Sequence, residues 1–94
     1  MAFVKVNTFT FHCDSSNTIN QAIIDIFEEE EYINTDLIYS IKKQVQTRIL
    51  TEGRKKERVP FEYYRLSFAG AERFVDVDNM YKLFEAMGIA HDQL

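Results

Sequence analysis

Residues 3–12, FVKVNTFTFH, alternate apolar and polar positions and are rich in Val, Phe and Thr, the pattern of a half-buried strand. The phase changes midway. Val4 and Val6 share one face while Phe9 and Phe11 share the other, which requires either a bulge near Asn7–Thr8 or partial cover on both faces. The next stretch, DSSNTINQAIIDIFEEEEYI, carries Ile19, Ala22, Ile23, Ile26 and Phe27 at helical spacing and predicts an amphipathic helix. Ser15, Ser16 or Thr18 can cap it, and Thr18 with Gln21 has the spacing of a capping box. Glu30 falls within the projected stripe, so this helix ends there or overruns the core.

Residues 36–50, DLIYSIKKQVQTRIL, fit two periods. As a strand, Leu37, Tyr39, Ile41, Val45 and Ile49 share a face; as a helix, Ile38, Ile41, Val45 and Ile49 make a stripe behind Thr35. Two features favour the strand. The segment is rich in β-branched residues, which lose χ1 freedom in a helix. Residues 37–50 and 57–70 are also equal in length about the polar turn TEGRKK. Pro60 cannot donate to a ladder, so its strand is an edge there or the hairpin extends beyond the sheet.

The last third predicts a strand, a Gly-containing turn, a short strand through Phe74, Val75 and Val77, and then a helix over VDNMYKLFEAMGI. Asp76 or Asp78 is the N-cap, and Met80, Leu83, Phe84 and Met87 lie on one face. Gly88 occupies the left-handed C′ position, with Ile89 closing onto Phe84. The expected fold is α+β, βαβββα, a small mainly antiparallel sheet with two helices on one face. A helix at 36–50 gives βααββα instead. Residues 1–94 read as one compact domain with a basic hairpin tip projecting at 51–56.

Composition adds limits. The single cysteine, Cys13, excludes an internal disulfide and fits a reducing compartment. The opening MAFVKVNTFTF has no apolar core of a signal peptide, and no apolar run approaches the roughly 18 residues of a membrane span. The expected location is cytoplasmic. Enrichment in Ile, Lys, Asn, Tyr and Phe points to an AT-rich coding source such as a phage or a low-GC bacterium.

The net charge of −4 conceals an asymmetry: residues 1–37 carry −6, residues 38–73 carry +5 and residues 74–94 carry −3. Neutralisation within the fold and contact with a partner both account for this. Arg54, Lys55, Lys56 and Arg58, with Arg48 before them, concentrate the positive charge on the hairpin. Glu28, Glu29, Glu30 and Glu31 would fall at the C-terminal end of the first helix, the unfavourable end for acids. Either Lys42, Lys43 or the hairpin offsets them, or they form a secondary acidic patch for a partner.

Catalytic chemistry has little to build on. His12 and Cys13 are adjacent on a strand and point to opposite faces, although a following helix would activate the thiol. His91 is remote, and one Cys with two His makes no zinc site. DVDNMYKLFE starts like a calcium loop but lacks the Gly at its sixth position and the acid at its twelfth, so its aspartates read as helix caps. No phosphate loop, nucleophile elbow, cofactor motif or metal set stands out.

The expectation is therefore a small non-enzymatic adaptor or regulatory protein. It binds a protein partner through Arg54, Lys55, Lys56, Arg58, Tyr63, Tyr64 and Arg65, with one of the two tyrosines exposed as an anchor. The alternative is an RNA- or DNA-binding module using the basic hairpin 48–58, with Phe61, Tyr63 and Tyr64 as nearby aromatics. The low pI and the interrupting Glu52, Glu57 and Glu62 weigh against that alternative.

Overall fold

A computed structural model describes residues 3–14 and 21–89. Among the described residues five strands and one helix follow in chain order: β1 (Phe3–Cys13), β2 (Ile23–Asn34), a 3-10 turn (Thr35–Leu37), β3 (Ser40–Glu52), β4 (Lys55–Phe68), β5 (Ala71–Asp76) and α1 (Val77–Met87). The strands close into a barrel in the order β1-β2-β3-β4-β5. All neighbours are antiparallel except β2 and β3, which meet in parallel at a single pair, Ile23 with Arg48.

This overturns the expected α+β arrangement with two helices on one face. The first expected helix is instead β2, paired along its length with β1 from Cys13 opposite Ile23 to Phe3 opposite Asn34. Ile23, Ile24, Ile26 and Phe27 satisfy a strand as well as a helical stripe, and pairing with β1 decides between them. The alternative helix at 36–50 is likewise not formed, because that segment is the end of the 3-10 turn followed by β3. The proposed caps Ser15, Ser16 and Thr18, and Ile19, lie outside the described residues.

The hairpin of β3 and β4 has the expected register, with Ser40 opposite Ser67 and Leu50 opposite Glu57. Its turn is two residues, and Gly53 at φ +61 supplies the positive dihedral that such a tight connection needs. β4 pairs with β5 only from Tyr63 to Phe68. Pro60 therefore lies where β4 is an edge, with no ladder on the β5 side, and its missing N–H costs nothing there.

The phase change in β1 is not a bulge at Asn7–Thr8. The only register shift against β2 lies between His12 and Cys13. Each face of β1 is covered over part of its length. Val6 packs with Ile33, Tyr64, Leu66 and Val75 beneath Met80, Leu83 and Phe84 of α1. Phe9 packs on the opposite face with Ile23 and Tyr63, joined by Phe11, Phe61 and Phe74 inside the barrel. Met80, Leu83 and Phe84 are fully buried, each worth about 1.5–3 kcal/mol of apolar transfer.

α1 carries the expected caps. The Asp76 carboxylate accepts from the Asn79 backbone N–H at 2.8 Å. Gly88 at φ +75 and the Ile89 N–H donating to the Phe84 carbonyl at 2.9 Å close the other end.

Candidate functional site

Three surfaces follow from this architecture: the distal hairpin, the acidic run on β2, and the end of the barrel where β1 starts and β2 finishes.

Beyond Tyr63, the β3–β4 hairpin continues for eight cross-strand pairs, from Val45 opposite Glu62 to Glu52 opposite Lys55. β2 touches this ribbon in the ladder at Arg48 only. The first four of these pairs belong to the barrel wall, holding Phe61 and the Ile23–Arg48 contact, so the free arm is the four pairs from Ile49 opposite Arg58 to Glu52 opposite Lys55, roughly 13 Å at about 3.3 Å per residue. Strand alternation sends Lys55 to one face with Arg48, and Lys56 and Arg58 to the other; Arg54 sits in the turn. Arg54, Lys55, Lys56 and Arg58 are all exposed and make no ion pair among the described residues. Arg48 lies over the ring of Phe61, its guanidinium carbon 5.5 Å from the centroid, a cation–π contact at the mouth of the barrel.

Tyr63 and Tyr64 do not accompany these bases to the surface. Tyr63 is 3% exposed and Tyr64 is 9% exposed, which corrects the expectation that one of them is an exposed anchor. The physical reason is that β4 has no free face at this point. Tyr64 turns toward α1, where its ring meets Phe84 edge-on at 5.9 Å. Tyr63 turns into the barrel, where Phe9, Phe11, Phe61 and Phe74 surround it at 5.6–5.8 Å. Its hydroxyl donates to the Gln46 side-chain oxygen at 3.0 Å. Burial pushes the Tyr63 phenol above its ordinary value; Cys13 adds to the rise and Arg65 opposes it. Arg65 is half-buried, and its Nε finds no hydrogen-bond partner among the described residues, with the Glu72 carboxylate 4.0 Å away.

The acidic run is not at a helix end. Glu28 to Glu31 lie in the middle of β2, opposite Phe9, Thr8, Asn7 and Val6 of β1. The cations expected to offset them are not the ones that do. Lys5 pairs with Glu30 at 3.1 Å and Arg73 with Glu31 at 3.0 Å, while Lys43 pairs with Glu62. Among the described residues β2 has no ladder partner on its outer edge past Ile23, and charged side chains on such an edge discourage strand addition. Glu28 lines a cleft of about 350 Å³ with Phe9, Arg48 and Phe61.

The third surface was missed by sequence reasoning. Phe3, Tyr32 and Leu37 are 58%, 68% and 63% exposed, and all three line a mainly apolar cleft of about 320 Å³. Phe68 contributes to its wall, and the Glu31–Arg73 ion pair forms part of its rim. Phe3 and Tyr32 share a face because Lys5 is opposite Tyr32 and Phe3 is opposite Asn34. Only recognition of the β1–β2 hairpin reveals that proximity, since a helical reading of β2 separates them.

Cys13 and His12 do point apart. The Cys13 sulfur accepts from the Gln46 amide at 3.3 Å, whereas the His12 ring packs edge-on against Phe27 at 5.2 Å. The next described element after Cys13 is β2, and the helix expected to activate the thiol is not found among the described residues. His91 lies outside the described residues. Among the described residues no group of three or more His, Cys, Asp and Glu side chains is placed to hold a metal, and no helix is long and apolar enough to cross a membrane. No protein family, curated protein or solved structure matches the chain.

Proposed function

We propose that this protein is a small non-enzymatic adaptor that binds a protein partner through the Phe3–Tyr32–Leu37 end of the barrel. The observation that carries this reading is the exposure of these three large apolar side chains around one cleft. Scattered exposed apolar residues are ordinary, but a contiguous set around a concavity is the arrangement that receives an apolar side chain of another protein. Burying the remaining surface of each anchor contributes only part of the about 1.5–3 kcal/mol that full apolar transfer gives. Glu31 and Arg73 stand at the rim, where charges set orientation and encounter rate more than affinity. The acidic run thus joins the interface through Glu31. The lone thiol fits a reducing, cytoplasmic setting.

A photo-crosslinking residue at position 32 tests this reading in the native host. It should trap a specific protein that the same residue at Glu85, on the outer face of α1, does not trap. Tyr32→Ala with Leu37→Ala should weaken that protein's binding by about 1–3 kcal/mol while leaving the fold intact. Equal trapping from both positions, or unchanged affinity, removes the proposal.

A further inference from the structure

The basic ribbon stands apart from the apolar end, at the opposite end of the β3–β4 hairpin. Residues 48–58 hold five bases and two acids, a net +3, which leaves −7 on the rest of the chain. An arm of one sign on a body of the other orients in the field of a polyanion, arm forward and body away. Its bases leave the ribbon from both faces and from the turn. A flat protein surface can meet only one face of a ribbon at a time. A nucleic-acid groove has phosphates along both walls, and the major groove of a DNA duplex, about 12 Å wide, admits a two-stranded β-ribbon. The free arm's roughly 13 Å matches about four base-pair steps of 3.4 Å. The aromatic rings that could stack on unpaired bases are turned inward, since Phe61 lies under Arg48 and Tyr63 is buried.

We infer that the β3–β4 ribbon is a duplex-DNA-binding arm. Arg54, Lys55, Lys56 and Arg58 contact phosphates on the two walls of the major groove. Phosphate contacts of this kind position a protein without specifying sequence, so the arm supplies affinity and orientation to whatever partner the apolar end carries.

Titration of the full chain against a mixed-sequence DNA duplex of about 20 base pairs tests this, with the matching single strand and RNA duplex as comparisons. Four phosphate contacts give a log–log salt slope of roughly −3.6, or about a 150-fold loss of affinity between about 50 and 200 mM salt. Replacing Arg54, Lys55, Lys56 and Arg58 by Ala should abolish that slope and weaken binding at least about tenfold; Lys82→Ala on α1 and Tyr32→Ala should change neither. These side chains are exposed, and an unchanged circular dichroism spectrum establishes that the variants fold. Absence of duplex binding at about 50 mM salt overturns the inference, as does equal or tighter binding of the single strand or the RNA duplex. Salt-sensitive self-association without duplex binding, seen by sedimentation, would assign the arm to a second copy of the chain instead. Loss of duplex binding leaves the protein-binding proposal standing, because Phe3, Tyr32 and Leu37 lie at the other end of the hairpin.

Discussion

The side chain of Asn79, in the first turn of α1, accepts a hydrogen bond from the backbone N–H of Asn7, in the middle of β1, at 3.0 Å. β1 pairs with β5 only at Thr8 and Phe9. A helix side chain thus takes the place of a strand where that ladder stops. The Asp76 carboxylate orients the amide by accepting from Asn79 Nδ2 at 2.8 Å. Asn79→Ala strands a backbone donor and should cost about 1–3 kcal/mol, measured by urea unfolding. Asp76→Ala removes the cap as well as this orientation and should cost at least about 1 kcal/mol.

Tyr63 makes stability depend on alkaline pH. Its phenol holds its proton to higher pH in the folded chain than the ordinary value of about 10 in the unfolded chain. The folded state therefore binds more protons in that interval, and stability falls as pH rises. The contribution is complete below about pH 10 and is lost as pH climbs through the raised folded value. Tyr63→Phe gives up the Gln46 hydrogen bond, costing about 1 kcal/mol near neutral pH. Its stability should decline less steeply above about pH 10 than that of the parent. Parallel alkaline profiles of the two proteins would contradict the assignment.

Gly53 should control the tip of the arm without controlling the barrel. A Cβ added there meets nothing within 4 Å, so only its positive φ is at stake. Gly53→Ala places an L-residue in a left-handed conformation at a cost of about 1–2 kcal/mol. Amide exchange should quicken across residues 50–57 and stay unchanged at Leu66, which is fully buried. Equal acceleration at Leu66 would mean that the arm and barrel unfold together.

Cys13 should be chemically quiet. Its sulfur is half-buried among the aromatic residues of the barrel and is engaged by Gln46. Alkylation should proceed no faster than for a free model thiol, and Cys13→Ser should leave partner binding unchanged. A markedly faster reaction at about pH 6 would restore the thiol as a candidate nucleophile.

The later part of the chain was legible because its local signals agree with its tertiary setting. Matching arm lengths about TEGRKK fix the β3–β4 register, and Asp76, Gly88 and Ile89 mark the helix ends. β2 was not legible in the same way. Ile23, Ile26 and Phe27 fit a helix and a strand equally, and the partner that decides between them, β1, is set by long-range pairing. One warning was present: Glu28 to Glu31 conflict with a helix C-terminus, and a strand removes the conflict. The burial of Tyr63 and Tyr64 was hidden for a related reason. Alternation assigns them to opposite faces, but only barrel closure and α1 reveal that both faces are covered.

The single Ile23–Arg48 pair that joins β2 to β3 also bears on how the molecule breathes. A wall hydrogen-bonded at one residue can part there while every other ladder remains whole. Side-chain packing, more than backbone bonding, must keep water from Phe9, Phe11 and Tyr63 along that seam. Opening events of low free energy should begin there and expose the aromatic interior from the arm side. The cluster sealed by α1, with hydrogen-bonded strands across its base, should be the last to admit solvent.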